Sequence, residues 1–139
     1  MENDKIKHLE FIQGVITRLN SNSFQIKGWA ITIIAAVLAL FASTKKIDFI
    51  LIGVFPTFLF WLMDAYCLRQ ERKFRGLYND VAGVSKNSSK VKSFDMNTEK
   101  YKGGIYSFWK VLWTKTIWIV YFFIIISLVA TYLMFSDCI

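Results

Sequence analysis

The residues best placed to do chemistry in this chain are two opposite charges inside apolar surroundings, Lys27 in SFQIKGWAITI and Asp64 in FLFWLMDAYCL. A carboxylate within a stretch of membrane-crossing length costs about 2.5–3.5 kcal/mol at mid-helix on insertion scales, so it is kept only for a reason. Counting about 1.5 Å per residue from the ends of their stretches puts both charges a similar short depth inside the same boundary. Three readings of Asp64 stay open: an ion pair with Lys27 between two helices, a step in an ion or proton pathway, or a solvated boundary residue.

Little else could react. The single His8, close to Glu10, reads as a solvated surface residue, since one imidazole makes no metal cage. Cys67 and Cys138 fall on opposite sides of the predicted bilayer and cannot bridge within one chain. Cys67 reads as a packing residue, and Cys138 as a candidate for a disulfide between subunits if its compartment is oxidising. There is no phosphate-binding Gly loop, metal-ligand spacing or nucleophile motif. No catalytic residue, metal or cofactor is expected, and an enzyme is the least favoured class.

The elements that must position Lys27 and Asp64 are membrane spans. The 139 residues are 55% hydrophobic with a mean hydropathy of +0.39, which places the chain in a bilayer. Three stretches approach the roughly 20 residues that a helix needs to cross. They are 24–43, 49–68 and 117–135; the last, IWIVYFFIIISLVATYLMF, carries no charge. An N-terminal signal peptide is disfavoured, because 27 residues, several of them acidic, precede the uninterrupted apolar run that begins at Gly28 within the first stretch. Only Lys45 and Lys46, of seventeen Lys and Arg, fall between the first two spans, and the final Ser-Asp-Cys-Ile adds none. The positive-inside rule then sets the N-terminus in the cytoplasm and the C-terminus outside, in a bacterial inner membrane. Topology accounts for most of the +7 charge, so nucleic acid is not an expected partner.

Residues 4–20 place Ile6, Leu9, Ile12, Ile16 and Leu19 at spacings of three and four, which predicts an amphipathic cytoplasmic helix that Ser21-Asn22-Ser23 ends. The second span has no stop at the boundary and continues to about residue 81, with Phe74, Leu77, Tyr78 and Val81 on one stripe. That stripe can pack on the N-terminal helix, lie on lipid, or bind a cytoplasmic protein. Residues 84–104, rich in Ser, Lys and Asn, read as a flexible polar linker. Residues 105–116 read as an interfacial segment, with Ile105, Phe108 and Leu112 on one helical stripe and Trp109 and Trp113 beside Lys110 and Lys115. Gly28, Thr32, Ala35, Ala36, Ala39 and Ser43 give the first span a face of small residues, suited either to the second span of the same chain or to another copy. Pro56, with Gly53, is expected to bend the second span. The predicted fold is all-α: an integral membrane protein with three transmembrane helices and an N-terminal cytoplasmic amphipathic helix.

Residues 9–30, LEFIQGVITRLNSNSFQIKGWA, and 60–81, FWLMDAYCLRQERKFRGLYNDV, resemble a widespread group of small bacterial polytopic membrane proteins. In general plan the chain is also similar to SLATT-type membrane proteins and to the small membrane accessories found beside RADAR and CRISPR antiphage systems. SLATT proteins carry two spans with a cytoplasmic helical extension, to which this chain adds 117–135. The resemblance implies a membrane effector or accessory that forms homo-oligomers and perturbs the membrane during phage infection, with no catalytic residues. Since three spans cannot enclose an aqueous lumen, a conducting path needs several copies. The alternative is a non-conducting anchor that recruits a cytoplasmic partner.

Overall fold

The computed structural model describes residues 2–85 and 91–136, all of them helix, turn or irregular chain with no strand. The order is α1 (Glu2–Thr44), α2 (Asp48–Ala82), a 3₁₀ turn (Gly104–Tyr106), α3 (Phe108–Leu112) and α4 (Lys115–Ser136). α1, α2 and α4 are each long and apolar enough to cross a membrane. α4 is a helix despite its composition. Its run of Ile, Val and Thr favours strands in water, but in hydrocarbon each backbone N–H must be satisfied within its own segment, and a helix does that.

The break expected at Ser21-Asn22-Ser23 is absent, and α1 is a single helix of 43 residues. Ser and Asn each cost only a few tenths of a kcal/mol inside a helix, roughly up to 0.7. Stopping and renucleating would cost more. α2 likewise passes Leu68 without interruption. It stops at Gly83, whose φ of 81° suits glycine and lets the Gly83 and Val84 amides both return to the Asn79 carbonyl.

The chain divides into two compact units, Met1–Ser23 with Tyr66–Val111, and Phe24–Ala65 with Leu112–Ile139. In the second unit Ile117, Tyr121, Ile124 and Leu128 of α4 are buried at alternating spacings of four and three, and Ala30, Ile34 and Phe41 of α1 at spacings of four and seven, which also keep to one helix face. α2 contributes Ile50, Thr57, Asp64 and Ala65 to the interior. Gly53 permits close approach there, since a Cβ would stand 3.1 Å from Val37 and 3.5 Å from Leu128. Pro56 lies within α2 and cannot donate to the helix ladder; the next residue, Thr57, gives its hydroxyl to the Gly53 carbonyl at 2.9 Å. The unit's outside is apolar. Phe55 (73% exposed), Phe123 (67%) and Met134 (72%) would be a liability in water, and are ordinary against hydrocarbon.

The first unit has a small core of its own. Ile12 and Ile16 of α1 meet Leu77 of α2 and Tyr101, with Phe74, Tyr78, Val81, Val91, Met96 and Tyr106 packed around them. Most of the expected linker therefore belongs to a folded unit. Asp95 and Asn97 turn the chain through side-chain acceptors for the Asn97 and Glu99 amides, at 3.0 and 2.8 Å. Residues 86–90 of that segment lie outside the described residues, as does Cys138 with its expected disulfide.

Candidate functional site

Lys27 and Asp64 meet inside the second unit. Lys27 Nζ is 2.6 Å from Asp64 Oδ2, with the lysine side chain 22% exposed and the carboxylate fully buried. α1 presents Lys27 three residues before the buried Ala30, and α2 presents Asp64 on the same stripe as Thr57. The chemistry is asymmetric. The carboxylate is committed to the interior, whereas the ammonium can reach outward along its four-carbon stem. Of the three readings of Asp64, a solvated boundary residue disagrees with its burial. A pair of this kind can hold two helices in register, or pass a charge when rearranged.

An aromatic cluster lies on the same helix in the same unit. Trp61, one turn before Asp64, stacks on Tyr121 at 6.3 Å and meets Trp113 edge-on at 5.9 Å. Its indole Nε1 donates to the Leu112 carbonyl at 3.3 Å, and the Tyr121 hydroxyl donates to the Phe60 carbonyl at 3.2 Å. These bonds satisfy the polar ends of rings that would otherwise be costly to bury.

Of the two readings of the small-residue face, packing against the second span of the same chain is not what the structure shows. Gly28, Thr32, Ala35, Ala36, Ala39 and Ser43 are all exposed in the single chain, so they do not form the contact with α2. A Cβ added to Gly28 would touch nothing. α1 instead turns Ala30, Ile34 and Phe41 inward, where the two large side chains fill space between helices.

Of the three readings of the Phe74, Leu77, Tyr78 and Val81 stripe, packing on the N-terminal helix is the one the structure shows, and their reading as partner-binding residues is corrected. Leu77 is wholly buried, and Phe74, Tyr78 and Val81 pack on the same cluster. Their apolar surface is covered by the chain's own α1 and 91–106 segment. The basic residues of α2 have structural duties as well. Arg69 donates to the Tyr106 carbonyl at 2.9 Å and Arg72 to that of Ile105 at 3.0 Å, while Arg75 pairs with Glu71 at 2.7 Å. The single stripe expected across 105–116 is interrupted. Positive φ at Gly103 and Gly104 and extended backbone at Ser107 separate the 3₁₀ turn from α3, leaving Ile105 outside and Leu112 inside.

Two features escaped the sequence. His8 is buried, not solvated; its Nε2 donates to the Asp95 carbonyl at 3.0 Å and its ring lies 5.9 Å from Phe94. The signal was present, since positions 8, 12 and 16 share one helix face. Asp80 accepts from Lys100 Nζ at 2.9 Å and from the Tyr101 hydroxyl at 2.7 Å. Asp80 is twelve residues past the apolar stretch that ends at Leu68. Burial pushes its carboxyl up, but the bonds from Lys100 and Tyr101 outweigh that and hold it below the ordinary carboxylate range. Burial, and then the bond to Asp80, raise the Tyr101 phenol. Between α1 and α2 of this unit, Gln13, Ile16, Arg75, Tyr78 and Asn79 line a half-open, largely polar groove of about 340 Å³.

Together these observations define a class: an all-helical chain with three helices of membrane-crossing length, compatible with a multi-pass membrane protein. Within the described residues no group of three or more His, Cys, Asp or Glu side chains stands ready to hold a metal. Comparison with family models, curated proteins and solved structures returned no match.

Proposed function

We propose that this chain is a membrane effector that works as a homo-oligomer, in which several copies assemble through α1 and form a conducting path across a bacterial inner membrane. The observation that carries the reading is the exposure of the whole Gly28-to-Ser43 small-residue face in the single chain. Small residues let helix backbones approach closely, and in lipid that closeness is a main source of association. With α1 copies around an axis, the Lys27–Asp64 pair sits beside the path and tunes its charge. Antiphage defence is the setting implied by the sequence resemblance, and the cytoplasmic N-terminus follows from the distribution of Lys and Arg.

The test is ion flux through purified protein in liposomes, with copy number measured by cross-linking through Ala36→Cys. Cross-linked assemblies with flux above background that changes on Asp64→Asn are expected. Silent liposomes at confirmed assembly overturn conduction, and a monomer overturns the whole reading. The polar groove of the first unit favours a second reading, a non-conducting anchor that recruits a cytoplasmic partner. Capture of that partner by the full chain, with no flux, would select it.

A further inference from the structure

The second unit holds a groove with no assigned occupant. Ile50, Leu51 and Val54 of α2 face Leu128, Val129 and Tyr132 of α4 across about 180 Å³ of space lined by apolar atoms. Gly53 lies against Leu128, and Trp61 stacks on Tyr121, so residue numbers rise along α2 as they fall along α4. The two helices are antiparallel, and the groove runs from Ile50 and Tyr132 at one end to Val54 and Leu128 at the other. Leu51, Val54 and Val129 are about half exposed along it.

The Ile50 end lies next to the α1–α2 turn, which carries Lys45 and Lys46. Lys45 Nζ lies 5.2 Å from the centre of the Phe135 ring, and Phe135 is one turn beyond Tyr132. Lys46 precedes Ile50 by four residues, in the turn from which α2 starts. Lys45 closes α1 in the left-handed region (φ 56°), its amide returning to the Phe41 carbonyl at 2.7 Å. Asp48 is the one acid among positions 45–48, so the turn keeps a net positive charge. An apolar trough that ends beside a turn of two lysines and net positive charge is complementary to a molecule with an anionic head and a hydrocarbon tail.

We propose that this groove binds one anionic phospholipid, with its phosphate at the Lys45–Lys46 turn and the headgroup-proximal methylenes of one acyl chain laid along Ile50–Val54 and Leu128–Tyr132. The occupant comes from the leaflet on the α1–α2 turn side. Seating of the first methylenes in the trough and pairing of the phosphate together distinguish it from lipid that merely surrounds the protein. The site shares with the proposed function only the requirement for a bilayer. It holds equally for a pore or an anchor, and failure of either leaves it unaffected.

The experiment is native mass spectrometry of the full chain released from micelles containing phosphatidylglycerol or phosphatidylcholine. One phosphatidylglycerol per chain is expected, retained at least threefold more than phosphatidylcholine. Lys45→Gln with Lys46→Gln should abolish that preference, and Val129→Trp, at an exposed position, should lower retention of both lipids by filling the trough. Equal retention of the two lipids by the unaltered chain overturns the site, and needs no variant to fold. Retention unchanged in both variants, or a second copy of the chain in place of lipid, overturns it too.

Discussion

The ammonium of Lys27 and the carboxylate of Asp64 stand 2.6 Å apart on two different long helices, but only the lysine keeps a route to the outside. Their contributions should therefore differ. Lys27→Met leaves a fully buried carboxylate without its ammonium and should cost about 3 kcal/mol, whereas Asp64→Asn leaves an ammonium able to snorkel and should cost nearer ~1 kcal/mol. Reversing both charges together should recover most of what either reversal loses alone. Unfolding in mild detergent measures this cycle, and a double variant as poor as the sum of the singles would refute the coupling.

Gly76 tests how the first unit is closed. Gly to Ala in a helix ordinarily gains up to about 1 kcal/mol. Here a Cβ would stand 2.7 Å from the Tyr106 hydroxyl and 2.9 Å from the Tyr101 ring, two rings that meet edge-on at 5.5 Å. Gly76→Ala should thus lose about 1–3 kcal/mol through overpacking and change the tyrosine near-ultraviolet dichroism. Removing the nearest atom with Tyr106→Phe should return part of the loss. A Gly76→Ala chain more stable than the parent would show that the contact yields easily.

The Asp80–Tyr101 bond predicts losses at both ends of the pH scale. Asp80 is held below an ordinary carboxylate, so its contribution is complete above about pH 4, the unfolded value, and fades as pH falls through the lower folded value. Tyr101 is raised, so its contribution is complete below about pH 10 and fades as pH rises beyond. Asp80→Asn should flatten the acid limb of the stability profile and Tyr101→Phe the alkaline limb. Hydrogen exchange of amides in residues 91–101 reports the unit directly, and limbs identical to the parent's in both variants would remove the bond from the account.

Sequence alone determined which stretches are apolar and long enough to span, because residue types in a run fix the cost of leaving water whatever the run later touches. It also placed Lys27 and Asp64 at matching depth, since rise per residue converts position into distance. Tertiary structure decided the partners. Phe74, Leu77, Tyr78 and Val81 were visible as a stripe, but only packing shows that α1 and the 91–106 segment cover it. His8 and Asp95 are 87 positions apart, a separation that no local periodicity reaches. The small face of α1 makes the same point in reverse: spacing announces a face suited to close contact, and only the folded chain shows that its own helices leave that face open. Propensity and hydropathy act over one to four neighbours, whereas contacts are chosen by shape and charge among segments distant along the chain.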